Sequence, residues 1–214
     1  MLTSTNISKA YGERLILDNI SLSLDSSQSA VIIGRNGVGK STLLSILAGY
    51  LKADSGEINY NGQKVGYIPQ QDNLFDNLTV KDNLTFWAKA SKSNINVFIE
   101  IFGIESYMNK KVKNISGGMK KSVSICCGLS HDPNILIMDE PFSGLDIFYK
   151  NNLIKTLEKL KTMGKLILYT SHNIDEIIGL DSTVYTLIDT KLKNRGESGK
   201  LLLDKNLMES LRLG

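Results

Sequence analysis

The chain has 214 residues, 42% hydrophobic and 22% charged, with 25 basic against 22 acidic side chains and a formal net charge of +3. This is the composition of a globular protein, long enough to bury one core without disulfides or a structural metal, and too evenly charged to point to a nucleic-acid partner. No apolar run approaches the roughly 18 residues of a membrane helix, and the start Met1-Leu2-Thr3-Ser4-Thr5-Asn6 lacks the pattern of a secretory signal.

The first quarter reads as strands. Ser21-Leu22-Ser23-Leu24 alternates polar and apolar, which suits a half-buried antiparallel strand, whereas Ala30-Val31-Ile32-Ile33 is continuously apolar, as for a strand buried on both faces. A glycine-rich turn follows, and Leu43, Leu44 and Leu47 then take up helical spacing between Lys40 and Ala48. Glu57–Tyr60 and Val65–Ile68 predict short strands around the turn-forming pair Asn61-Gly62. From Val80 to about Leu129 the periodicity is helical, with Thr79 as N-cap. Strand character returns at Ile135–Met138, followed by a helix over about 147–163, a strand at Leu166–Thr170, a helix near 173–179 and a strand at Thr183–Ile188. Asp204–Leu213 has the spacing of a terminal helix. Alternating strands and helices on both sides of a helical block predict an α/β core, residues 1–70 and 131–214, carrying a helical insertion at about 71–130. Cys126 and Cys127 are adjacent, so they cannot cross-link the fold, and they read as small apolar core residues suited to a reducing compartment. His131 and His172 are too few for a multi-histidine metal site.

The segment Gly34-Arg35-Asn36-Gly37-Val38-Gly39-Lys40-Ser41-Thr42 fits G-x-x-x-x-G-K-[ST] between a buried strand and a helix. Glycines let the backbone wrap phosphates without Cβ clashes, successive N–H groups form an anion nest, and the following helix offers its positive end. Lys40 is placed to reach β- and γ-phosphates, and the Ser41 hydroxyl to bind Mg2+. Ile135-Leu136-Ile137-Met138-Asp139-Glu140 is an apolar run ending in two acids, which a buried strand would hold at the carboxyl edge of the sheet. There Asp139 suits Mg2+ and Glu140 suits polarising an attacking water. His172 ends Thr170-Ser171-His172 after another apolar strand, within reach of the same region.

In this order the motifs resemble the ATP-binding cassette (ABC) ATPases along essentially the whole chain. Ile115-Ser116-Gly117-Gly118-Met119 is similar to the family's signature loop and stands just before the strand that ends in Asp139. The resemblance implies a P-loop NTPase (RecA-like) α/β core with an antiparallel β subdomain and a helical insertion subdomain. It further implies that Tyr11 stacks on adenine, that Gln70 links Mg2+ to the insertion, that Ser143-Gly144-Leu145-Asp146 is the D-loop, and that His172 is the switch histidine. Ser116, the glycine amides of Gly117 and Gly118, Met119 and Asp146 would then serve a nucleotide held mainly by a second subunit. ATP and Mg2+ are the implied cofactors. The implied partners are a second ATPase subunit, with a homodimer permitted by the intact motifs, and a separate transmembrane permease, which places the chain on the cytoplasmic face of the membrane. Ile115 stands where the family usually has Leu. Met119 followed by Lys120-Lys121 resembles the exporter-like branch often called ABC-2. Two other readings stay open at this level: a single-cassette ABC ATPase acting in assembly or repair, and a nucleotide-binding module without turnover.

Overall fold

In a computed structural model, residues 1–89 and 95–201 are described. The chain opens with two long antiparallel strands, β1 (Leu2–Tyr11) and β2 (Arg14–Leu24), in register from Leu2 opposite Leu24 to Tyr11 opposite Arg14. β4 (Ser55–Asn59) adds to the other edge of β1, so the sheet runs β2-β1-β4. Bulges interrupt both pairings; such bulges bend and twist a sheet. Its apolar face buries Leu2, Ile7, Leu17, Ile20, Leu22 and Leu24.

The second sheet runs β5 (Val65–Ile68), β6 (Ile135–Met138), β7 (Leu166–Thr170), β3 (Ser29–Ile33), β8 (Thr183–Ile188) and β9 (Lys191–Glu197). All neighbours are parallel except β9, which returns antiparallel to β8. Every residue of β3, β6 and β7 is buried, the reason their sequences are apolar without alternation. Alternate side chains still leave opposite faces. Ala30, Ile32, Ile135 and Ile137 pack with Leu43, Leu44, Ile46 and Leu47 of α1 (Lys40–Leu47) and with the antiparallel sheet. Val31, Ile33, Leu136 and Met138 pack on the other side with α5 (Ile147–Thr162) and the helical block.

That block comprises α2 (Val80–Lys89), α3 (Asn96–Ile101), short 3-10 turns at Glu105–Tyr107 and Val112–Asn114, and α4 (Gly117–Gly128). Thr79 does cap α2: its Oγ accepts from the Asp82 backbone N–H at 3.1 Å and donates to the Asp82 carboxylate at 2.6 Å, a reciprocal cap. The periodicity continues in sequence, but the helix does not. Gly103 turns the chain at φ 61°, and Ser116 starts a fresh helix by accepting from the Met119 N–H.

Asn61 and Gly62 make the expected left-handed turn, φ 49° and 72°. The strands around it do not pair as a hairpin, because β4 joins the antiparallel sheet and β5 the parallel one. β9 escapes a sequence reading: its polar Lys-Leu-Lys-Asn-Arg-Gly-Glu carries no apolar pattern, as befits a lysine-bearing edge. The helix predicted at Asp204–Leu213 lies outside the described residues. Two short helices complete the fold, α6 (Ile174–Gly179) and α7 (Ser198–Leu201).

Candidate functional site

The neighbouring strands β6, β7 and β3 end on the same edge of the sheet, and each feeds one part of the site. β3 leads into the glycine-rich loop of Gly34, Arg35, Asn36, Gly37, Val38 and Gly39, β6 into Asp139-Glu140, and β7 into Ser171-His172. This is the edge where open α/β sheets bind ligands.

Gly39 takes φ 115°, and a Cβ there would lie 2.6 Å from Ile16 Cγ2 of β2, so only glycine closes the loop against the antiparallel sheet. No side chain caps α1 and no acid lies in its first turn, an arrangement of amides and dipole end that suits an anion. Lys40 is buried, and its ammonium donates to the loop carbonyls of Gly34 at 2.8 Å and Arg35 at 3.1 Å. Burial pushes this ammonium below its usual pKa, and the Glu140 and Asp139 carboxylates pull it back. Ser41 is exposed and Thr42 half-buried on the first turn of α1.

Asp139 is buried at 4% exposure and forms no ion pair among the described residues. Its Oδ1 accepts from Thr170 Oγ1 at 2.7 Å, and the Thr170 hydroxyl in turn accepts from the Glu140 N–H at 2.8 Å. Thr170 is thus a site residue that the sequence reading left unused; its signal was a polar residue ending an apolar strand. Glu140 precedes Pro141 and adopts φ 46°, a costly conformation for a non-glycine residue that turns its side chain out of the strand line. Glu140 Oε2 accepts from Gln70 Nε2 at 3.0 Å, and Oε1 sits 3.0 Å from His172 Nε2. Asp139, Ser41 and the Gln70 carboxamide supply oxygen donors of the hard kind that Mg2+ takes. Among the described residues no group of His, Cys, Asp and Glu could hold a metal alone, so these donors fit an ion completed by phosphate and water.

Gln70 follows β5 after Pro69. Buried Lys121 of α4 donates to the Gln70 carbonyl at 3.3 Å and pairs with Asp72 at 2.7 Å, tying this loop to the helical block.

The structure gathers Lys40, Gln70, Asp139, Glu140 and His172. It keeps Ser116, Gly117, Gly118, Met119 and Asp146 apart, with no bond from them to that group among the described residues. Ser116 caps α4 and Asp146 caps α5, each accepting a backbone N–H three residues on. Tyr11 ends β1 exposed, its ring 5.6 Å from Lys9 Nζ.

The family model described as ABC transporter matches residues 17–143. The linearmycin resistance ATP-binding protein of Bacillus subtilis is 36% identical over 195 residues, covering 83% of this chain and 63% of that protein. A Nod factor export ATP-binding protein of Burkholderia orbicola is 33% identical over 189 residues, covering 80% and 62%. The chain therefore spans less than two thirds of the length of these two relatives. A crystal structure of an ATP-binding cassette of an ABC transporter in its ADP conformation superposes with a TM-score of 0.87 at 23% identity, covering 100% of this chain and 98% of that one, and so shares the fold. Since the family match takes in more than half of its residues, the chain belongs to the ABC transporter family, as an ATP-binding domain.

Proposed function

We propose that this protein binds and hydrolyses ATP to power a membrane transporter, and that it exports its cargo. The observation that carries hydrolysis is the Glu140 carboxylate gripped between Gln70 and His172, 3.0 Å from each, on the edge where the Lys40 loop opens. A carboxylate so oriented can draw a proton from water beside a phosphate. Lys40 and the α1 amides hold the β- and γ-phosphates, and Tyr11 offers its ring to the base. Mg2+ held by Ser41, Gln70 and Asp139 would neutralise phosphate charge when bound. His172 keeps Glu140 aimed and faces the same phosphate.

Ser116, Gly117, Gly118, Met119 and Asp146 stand outside this group, so we assign them to the nucleotide of a second subunit in a head-to-tail dimer. ATP then bridges two chains through its γ-phosphate, and hydrolysis removes the bridge. Gln70 carries the phosphate state to the helical block through Lys121 and Asp72. A cleft of about 540 Å3 lies beside that joint, lined by Tyr50, Tyr67, Leu74 and Trp87. We assign it to a cytoplasmic helix of a separate permease. The motor reading is favoured over assembly or repair by relatives that are named for resistance and export. Export also agrees with Met119 and its basic neighbours.

The test is Glu140→Gln. It keeps ATP binding, slows hydrolysis by about two to four orders of magnitude, and lets light scattering register an ATP-dependent dimer. Full turnover removes Glu140 as the base, and an ATP-bound monomer removes the composite site. Transport assayed in inside-out and right-side-out vesicles with the permease decides the direction.

A further inference from the structure

Tyr149, on the first turn of α5, lies across the N-terminal turn of α4. A Cβ built on Gly118 would collide with Cγ, Cδ1 and Cδ2 of the Tyr149 ring, so the phenol rests directly on the glycine backbone. The Ser116 hydroxyl donates to Tyr149 Oη at 3.2 Å and accepts from the Met119 N–H at 3.3 Å. Tyr149 is itself held firmly. Its N–H donates to Asp146 at 3.0 Å, its ring meets Phe148 edge-on at 5.7 Å, and Lys150 next to it pairs with buried Glu176 at 2.8 Å.

A hydroxyl has one proton and two lone pairs. In this structure the proton of Ser116 is spent on Tyr149. To bind a phosphate oxygen, Ser116 must turn that proton from Tyr149 to the phosphate, and its second lone pair then lacks a donor. Tyr149 Oη carries a proton that can turn back to fill it. We propose that Tyr149 is a positioning residue for Ser116. When the γ-phosphate of the opposing subunit's nucleoside triphosphate arrives, the phenol donates to Ser116 Oγ. With Met119 N–H and Tyr149 O–H both directed inward, the only remaining direction for the serine proton is the phosphate. The chain of donors also polarises the outgoing bond. This rests on the composite-site reading above.

The experiment compares the wild type, Tyr149→Phe, Ser116→Ala and the double variant. Tyr149→Phe keeps the ring on Gly118 and removes only the hydroxyl, so melting temperature and ATP affinity of the monomer stay at wild-type values. The protein concentration for half-maximal ATP-dependent dimerisation rises about 5- to 150-fold, as loss of one hydrogen bond at each of the two sites predicts, and kcat falls while KM for ATP holds. Ser116→Ala shows at least as large a defect, and the double variant is no worse than Ser116→Ala, because Tyr149 acts through that serine. Wild-type dimerisation in Tyr149→Phe with Ser116→Ala impaired overturns this proposal alone, as does full additivity in the double variant. Wild-type behaviour of Ser116→Ala overturns the composite site and this proposal with it.

Discussion

At the scale of single residues, Thr170 does the least expected work. It is fully buried, and one hydroxyl joins the Asp139 carboxylate to the Glu140 N–H at 2.7 and 2.8 Å. The acids on β6 are thereby fixed from β7, the strand that also delivers His172. Thr170→Val preserves shape and leaves a buried N–H and a carboxylate oxygen each short of a partner. A loss of about 1–3 kcal/mol follows, or about 2–10 °C in melting temperature for a chain of this size. Turnover falls further than ATP affinity does, because the loop around Lys40 is untouched. Thermal melts and a steady-state ATPase assay check both. An unchanged melting temperature shows that the bridge contributes nothing.

At the scale of elements, one buried amide helps to hold the entry to the helical block. Asn83 of α2 is fully buried. It accepts from the Phe75 N–H at 2.8 Å and donates to the carbonyls of Phe75 at 3.2 Å and Thr79 at 2.9 Å. It thus pins the loop after Gln70 onto the first turn of α2, just where Thr79 caps it. Asn83→Ala leaves the Phe75 N–H without its partner and takes one of two donors from the carbonyls of Phe75 and Thr79, which keep the backbone N–H groups of Leu78 and Asn83. The expected cost is about 1–3 kcal/mol, seen as a melting temperature lower by about 2–10 °C. Asn83→Leu fares no better, since filling the space restores none of the bonds. Recovery of wild-type stability in the leucine variant makes this a packing site instead.

At the scale of the whole molecule, the helical block and the parallel sheet share one buried cluster, and Cys126 and Cys127 sit in it. Burial pushes the Cys127 thiol up to about 12 and Cys126 higher still. A thiolate is the reactive form, so neither cysteine is labelled by a maleimide at pH 8 within the time that denatured chain labels fully. The residual native rate at the fully buried Cys126 measures how often α4 parts from the sheet. Fast labelling in the native state contradicts the burial of this face.

Much of this protein was legible from local chemistry. The glycine-rich loop before Lys40, the acids after Ile135–Met138 and His172 after Leu166–Thr170 lie at strand ends because buried parallel strands are apolar along their length and announce where they stop. The Thr79 cap is equally local. What only the tertiary structure decided depends on partners far apart in the chain. Asn61-Gly62 specifies a turn but not which sheets its flanking strands join. β9 becomes a strand because β8 offers it an edge, not because of its own pattern. Thr170 and Tyr149 acquire roles from strand order and helix placement, through bonds to Asp139 and Ser116 on other elements. Sequence determined the chemical groups and their local backbone; the meeting of Gln70, Glu140 and His172 required the folded sheet, since no spacing along the chain encodes a distance across it.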